Sequence, residues 1–494
     1  MKHVLAIDQG TTSTRALVFD EAGRTLGSAA RELKQHYPQH GWVEHDTEEI
    51  WQSVAQVVPE ALQAAGIEAK ELAGIGLTNQ RETVVLWDRS SSRPLAHAIV
   101  WQDRRTSDFC RQRKQDEPWI TERTGLVLDP YFSATKIRWL LDQEAGLGSR
   151  AESGNLAAGT IDSWLIWRLT GGKVHVTDFS NASRTLLLDI NKASWDDELC
   201  RYFGIPAALL PELRPSAADF GTTQGLSFLP DGLRITGVAG DQQSALFGQG
   251  GFSAGAAKCT YGTGAFFLQH TGERLIHSGH RLLTSLAAVV DQRRQYVLEG
   301  SVFVAGAAVQ WLRDALRLFA KAPEVEKLAA EADSDQPVLF VPAFVGLGSP
   351  HWVPEARGVL FGLTRNTTGK ELSRAALEGV AFQVADLLDS AAKDTGQPLS
   401  SLRVDGGMAD NAWFLQTQAD LLGLPVVPAP SSEATARGAA FLAGLRVGIW
   451  PNVDALSKLI QPGRRFEPRV PEEERRRRRD RWHRAVKAVI DFYS

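Results

Sequence analysis

At 494 residues, with 43% hydrophobic and 23% charged residues, the chain has the composition of a globular protein and is neither disordered nor fibrous. Its length points to two or three domains, two large lobes being the simplest division. A formal net charge of -4 offers no overall attraction to nucleic acid or to an anionic membrane, so any polyanion must be met by local groups.

The first predicted element is a β-hairpin: HVLAI, a polar bend DQGTTSTR, ALVFD, a turn at 21–23, then TLGSAA. Lys2 and His3 are the only basic residues before its apolar run, and Asp8 interrupts that run, which argues against a signal peptide. The bend carries Gly10, Thr11, Thr12, Ser13 and Arg15. Such a tip offers unblocked backbone N–H groups and hydroxyls, a set that binds phosphate oxygens. The alternative is a turn that only closes the hairpin.

A helix-like stretch, EEIWQSVAQVVPEALQAAG, then separates strands, and AGIGLT and TVVLWD flank residues 79–82, giving an α/β pattern. Arg81 and Glu82 are adjacent opposite charges at a strand end. They suit the donor and acceptor needs of a polyol's neighbouring hydroxyls, or else a salt-linked turn. Strand IVW ends at Trp101, whose ring would suit a carbon skeleton or fill core. Strand RITGVAG ends at Asp241, followed by Gln242 and Gln243. Asp241 reads as a helix N-cap or as a base facing a cleft. Phosphoryl transfer to an alcohol needs a carboxylate to take the hydroxyl proton and a metal to neutralise the phosphates, and Asp8 and Asp241 are the acidic residues placed for this work.

Around residue 250 the small, Gly-rich GQGGFSAGAA marks a boundary between an N-terminal lobe, 1–250, and a C-terminal lobe, 251–494. A second apolar hairpin follows at KCTYGTGAFFLQHTG, with Gly262, Thr263 and Gly264 at its bend and Phe266 just after. Two lobes opening on similar hairpins point to an internal duplication with a cleft between them. No G-x-x-x-x-G-K-S/T occurs, which disfavours a P-loop enzyme. Further on, LRV runs into Asp405, Gly406 and Gly407, and a helix begins near Asn411; paired glycines there admit a flat ligand such as a nucleotide base, or simply turn the chain. Near the end, acidic residues 472–474 precede basic 475–479, which reads as a solvated helix face; Trp482, Ala485, Val486, Val489, Ile490 and Tyr493 give that helix a docking face. Cys110, Cys200 and Cys259 form no C-x-x-C pair, and a cytoplasmic, reducing setting is expected.

Taken together, DQGTTSTR, GWVEHD, GLTNQRETVVLWD, VWQDRR, GLVLDPYFSATK, AGDQQSALFGQ, TYGTGAF and RVDGGMADN resemble the glycerol kinases of the FGGY carbohydrate kinase family, within the actin, hexokinase and Hsp70 superfamily. The match runs in unbroken order to about Gly444. The resemblance implies an α/β fold of two ribonuclease-H-like lobes closing over ATP and magnesium. It implies phosphorylation of glycerol to sn-glycerol 3-phosphate with release of ADP. Arg81, Glu82, Trp101, Tyr131, Asp241, Gln242 and Phe266 would surround glycerol. Thr11, Thr12, Ser13, Arg15 and Thr263 would meet the nucleotide phosphates, and Gly306, Gln310, Gly407 and Asn411 the rest of the nucleotide. Asp8 and Asp241 would serve the metal, and a homodimer or higher homo-oligomer is expected by analogy.

A kinase for another polyol or ketose is the nearest alternative, and an actin-like or Hsp70-like switch the next, which Arg81, Glu82 and Trp101 disfavour. Some bacterial members of the family bind fructose 1,6-bisphosphate through a Gly-rich, Arg-bearing loop; this chain has LSFLPDGLR there, so that site is expected to be absent. Nor does a histidine lie between Thr177 and His270, where other members present one for phosphorylation.

Overall fold

The computed structural model describes residues 2–291, 293–333, 338–429, 433–461 and 463–493. Two twisted sheets dominate it. The first contains β1 (His3–Gln9), β2 (Ser13–Phe19), β3 (Thr25–Glu32), β4 (Leu72–Asn79) and β5 (Ile235–Gly240), in spatial order β5-β4-β1-β2-β3. The second contains β6 (Ala257–Tyr261), β7 (Ala265–Gly272), β8 (Leu283–Leu286), β9 (Tyr296–Val302), β10 (Leu402–Asp405) and β11 (Val426–Pro428), in order β8-β9-β7-β6-β10-β11.

Apart from β8, the two sheets have the same construction. In each, three antiparallel strands meet two parallel ones: β4 and β5 run parallel to β1 as β10 and β11 run parallel to β6. This is the duplication that the paired hairpins predicted. β1 and β4, buried along nearly their whole lengths, read as continuous apolar runs because helices cover the faces of the sheet. One of those helices is α1 (Thr47–Ala65), opened by Asp46 accepting from Glu48 N at 2.8 Å and closed by Gly66 in a left-handed conformation. Its Ile50, Val54, Val57 and Val58 sit fully buried in the core of the first sheet. The second core gathers around α4 (Gly369–Thr395).

Two features depart from a simple reading along the chain. The helix α6 (Ala434–Arg446) returns to the first sheet, where Ala436, Ala440 and Ala443 pack on Val4, Ala6 and Leu17. Residues 251–494 therefore do not all pack on the second sheet; a helix face of alanines can lie close against the first sheet. The C-terminal helix α7 (Glu472–Tyr493) does dock through Trp482, which stacks on Phe382 with ring centroids 5.1 Å apart. Its basic run, however, is only partly a solvated face. Arg478 binds Glu378 at 2.9 Å and Arg479 pairs with Asp389, both carboxylates belonging to α4, while Arg476 and Arg477 stay exposed. Carboxylates on α4 aligned with the arginines convert half of that face into an interface. Among the described residues no helix is long and apolar enough to cross a membrane, and all three cysteines are free and buried.

Candidate active site

The C-terminal ends of the central strands and the two hairpin tips surround a cleft of about 440 Å³. Arg81, Glu82, Trp101, Tyr131, Asp241, Gln242 and Phe266 all line it, with Thr11 and Thr12 from the first tip and Thr263 from the second. Trp101, Tyr131 and Phe266 make an aromatic wall: the Trp101 ring centroid lies 5.7 Å from Tyr131 and 5.8 Å from Phe266, both edge to face. Trp101 Nε1 donates to Thr11 Oγ1 at 2.9 Å, which fixes the wall to the first tip and leaves the threonine hydroxyl proton for another acceptor.

β5 delivers Asp241 to the cleft. Gly240 takes the N-cap position of α2 (Asp241–Gly248), so the aspartate falls one residue inside the helix and makes no capping bond. The capping alternative fails because the strand's extended backbone runs through Gly240, leaving Asp241 to project sideways. Its Oδ1 is buried without a hydrogen-bond partner among the described residues, 3.5 Å from Arg81 Nε, while the side chain as a whole is 29% exposed. Burial by the surrounding protein pushes its pKa up to about 6, with the Arg81 guanidinium opposing the rise. At neutral pH this carboxylate is mainly ionised.

Arg81 and Glu82 follow β4, and each is held from elsewhere in the chain. Arg81 Nη1 donates to Glu299 Oε2 at 2.8 Å and to Gln243 Oε1 at 3.0 Å; Arg184 Nε donates to Glu82 Oε1 at 2.5 Å, and its Nη1 lies 3.3 Å from Glu299 Oε2. The direct Arg81–Glu82 separation, 3.9 Å, is the longest in the group, so the pair is not a self-contained salt-linked turn. Two guanidinium groups and two carboxylates thus neutralise one another in a fully buried array. Burial alone would raise Glu299, but Arg184 and Arg81 hold it below its usual range. Glu82 itself has φ 59, uncommon for a side-chain-bearing residue. Buried Lys136, its pKa pulled down to about 7 by desolvation, donates from Nζ to Tyr131 O and Phe132 O and reaches Glu82 O at 3.4 Å. One ammonium thereby supports the backbone beneath two of the cleft residues.

The cleft continues past Thr263 and Gln310 into a second cavity of about 430 Å³, lined by Gly306, Gly407 and Asn411 together with apolar Val309, Pro323, Val325 and Leu377. Close backbone approach builds it. A Cβ on Gly306, which opens α3 (Gly306–Asp314), would sit 2.6 Å from Gly262 O, and one on Gly406, at φ +87, would sit 2.4 Å from Tyr261 O. Asn411 also caps α5 (Ala412–Leu422), accepting from Phe414 N at 2.8 Å. Its position at the cavity is thus fixed by the helix start.

Asp8, Ser13 and Arg15 do not line either space. Asp8 lies on β1 and pairs with Arg15, whose Nη1 also reaches Glu433 at 2.9 Å. Sequence reasoning assigned no role to Glu299, Arg184, Gln243 or Lys258. Glu299 and Lys258 did leave a trace, since each is one charge inside an otherwise apolar strand, where an unpaired charge is costly. Lys258 Nζ bonds Gln242 Oε1 and Thr260 Oγ1. Arg184 sits in ASRTLLL, which carries no such signal.

Comparison with known proteins identifies the family. Residues 3–248 match the N-terminal domain and residues 257–447 the C-terminal domain of the FGGY family of carbohydrate kinases. The chain is 54% identical over 491 residues to the glycerol kinase of Allorhizobium ampelinum and 52% identical over 494 residues to that of Koribacter versatilis, covering 99% of the chain and at least 98% of each relative. Plasmodium falciparum glycerol kinase with ADP superposes with a TM-score of 0.91 at 36% identity, covering 99% of this chain and 98% of that one. The gluconate kinase of Lactobacillus acidophilus shares the fold, with a TM-score of 0.89 at 22% identity, covering 100% of this chain and 99% of that one. The chain belongs to the FGGY family of carbohydrate kinases.

Proposed function

We propose that the protein transfers the γ-phosphoryl group of ATP to a terminal hydroxyl of glycerol, giving sn-glycerol 3-phosphate and ADP. The observation that carries this reading is the Asp241 carboxylate, its Oδ1 without a hydrogen-bond partner among the described residues, set in one cleft between a polyol-sized polar and aromatic wall and two facing Gly/Thr tips. Glycerol's carbon skeleton lies against Trp101, Tyr131 and Phe266, and its hydroxyls pair with Arg81, Glu82 and Gln242. Asp241 takes the proton of the attacking hydroxyl as that oxygen forms its bond to the γ-phosphorus, and the bond from phosphorus to the β–γ bridging oxygen breaks, leaving ADP.

Thr11, Thr12 and Thr263 donate to the phosphates, with Ser13 and Arg15 supporting the first tip from behind, and Gly306, Gln310, Gly407 and Asn411 hold the remainder of the nucleotide. Asp241, whose Oδ1 is buried without a partner among the described residues, and Asp8, on β1 with β4 between them and paired with Arg15, would hold magnesium, a hard cation that takes one or two carboxylates plus substrate phosphates, and the ion would neutralise phosphate charge. Residues 1–250 form the glycerol lobe and 251–494 the nucleotide lobe, with α6 packed back onto the first; the site belongs to a cytoplasmic homo-oligomer.

A coupled assay of ADP release across glycerol, dihydroxyacetone, xylulose and gluconate tests the substrate. Glycerol should give the highest kcat/KM, and a higher value for any other acceptor would overturn the assignment.

A further inference from the structure

At the far end of α2 from Asp241, sharing no lining residue with the nucleotide cavity, lies a separate pocket of about 220 Å³. One side of it is cationic, with Arg403, Arg437 and Arg465; the other is apolar, with Val427, Pro428 and Ile460. None of the described residues lining it is acidic. Arg403, on β10, donates from Nη1 to Gln249 O, and Arg437, on α6, donates from Nε to Gly248 O at 2.9 Å. These bonds occupy only part of each guanidinium. Arg437 is 9% exposed, and its Nη2 is buried with no hydrogen-bond partner among the described residues. Neither arginine forms an ion pair among the described residues, and desolvation lowers the pKa of both. Arg465 pairs at 2.9 Å with Glu467, but both side chains are more than half exposed, so water screens that pair and a better acceptor can replace it.

We propose that this pocket is a binding site for a small phosphate-type anion, distinct from the ATP cleft. Three guanidinium groups face a space whose described lining holds neutral acceptors such as Gln249 and Ser401 but no carboxylate, which leaves their positive charge unbalanced within the pocket, and guanidinium forks match the oxygens of a phosphate. At about 220 Å³ the pocket falls below the roughly 300–1,000 Å³ of drug-sized ligand sites, which favours inorganic phosphate or a compact phosphate monoester over a nucleotide. The apolar side would accept the ester's carbon substituent. Gln249 lines the pocket and donates from Nε2 to Asp405 Oδ2 at 2.8 Å, so the anion would sit one residue's reach from the strand end that carries the Gly406–Gly407 turn.

The test is isothermal titration of the full-length protein at constant ionic strength, with the cleft filled by glycerol and a non-hydrolysable ATP analogue. Inorganic phosphate and methyl phosphate are titrated in separate arms, and the tighter of the two tells which source of phosphate the pocket takes. One saturable site is expected, weakened at least tenfold by Arg403→Gln and about threefold by the exposed Arg465→Gln, which is not expected to disturb the fold. Absence of saturable binding in both arms, or equal affinity in wild type and Arg465→Gln, would overturn the proposal.

Discussion

The two hairpins are built alike, yet they place opposite chemistry at equivalent positions. In the first, Asp8 faces Arg15 across the strands, and Asp8 is beside Thr78 on the parallel neighbour. In the second, Thr260 faces Phe266, and Thr260 is beside Asp405. Carboxylate and hydroxyl have exchanged strands, and an ion-paired arginine has become an aromatic face turned toward Trp101. One backbone plan therefore carries two different sets of side chains. On the proposed reading the first lobe concentrates the charges that would handle protons and hydroxyls, and the second offers glycines and apolar side chains to a nucleotide, lending Phe266 and Glu299 across the gap.

The largest effect expected from breaking this division is at Asp241. Asp241→Asn keeps the shape of the side chain but removes the proton acceptor, and should lower kcat by about 10² to 10⁴. ATP affinity should change little, because on the proposed reading the nucleotide is held mainly by the two hairpin tips and the cavity of Gly306, Gly407 and Asn411. Steady-state kinetics together with an ATP-analogue titration read both quantities, and near-normal turnover would end the assignment.

Glu82→Gln probes the same wall one step down. A site whose polar groups are left unpaired loses about 1.5–3 kcal/mol per hydrogen bond to a charged partner, so kcat/KM for glycerol should fall about 10- to 100-fold with KM for ATP unchanged. A variant with normal glycerol kinetics and a lower melting temperature would instead show that Glu82 only balances Arg184.

Much of this division was legible in the sequence because it is written locally. Gly/Thr bends between apolar runs mark both tips, and single acids or aromatics at strand ends mark Asp241 and Trp101. The array that holds Arg81 and Glu82 was not legible. Glu299 and Arg184 approach them from 218 and 102 residues away, and nothing near either residue names its partner. The return of α6 to the first sheet was hidden for a similar reason: ATARGAAFLAGLR is buried on nearly every side and has no single apolar stripe, so its pattern cannot tell which sheet it covers. Asp241 was readable as base or cap, and the placement of Gly240 at the N-cap removes the second reading.

The second lobe can be broken separately. In Gly306→Ala the added methyl would meet Gly262 O at 2.6 Å, and relieving that contact must shift the second tip or the start of α3. Overpacking of this kind costs about 1–3 kcal/mol, so KM for ATP should rise about tenfold while KM for glycerol holds. An equal rise in both would mean that the two walls move as one body.

The smallest effect separates catalysis from stability at one residue. Asp241 has its folded pKa raised to about 6 by burial in the surrounding protein, from an ordinary value of 3.8. As a base it works only when ionised, so its contribution to kcat/KM should be half its plateau at pH 6 and fall about tenfold for each further unit of acidity. Its effect on folding has the opposite sign. The folded state holds the proton more tightly than the unfolded chain does, so protonation favours folding: the contribution is fully present below pH 3.8 and is lost as pH rises through 6. The amide introduced by Asp241→Asn does not titrate. The difference in melting temperature between wild type and that variant therefore isolates this contribution from other titrating groups, among them Asp162, whose burial raises its pKa to about 7. Wild type should gain on the variant between about pH 7 and about pH 4.5, over the range in which its activity is disappearing. A flat difference would show that the carboxylate is solvated in the cleft and has an ordinary pKa, and the acid limb of the rate profile would then have to move below about pH 5.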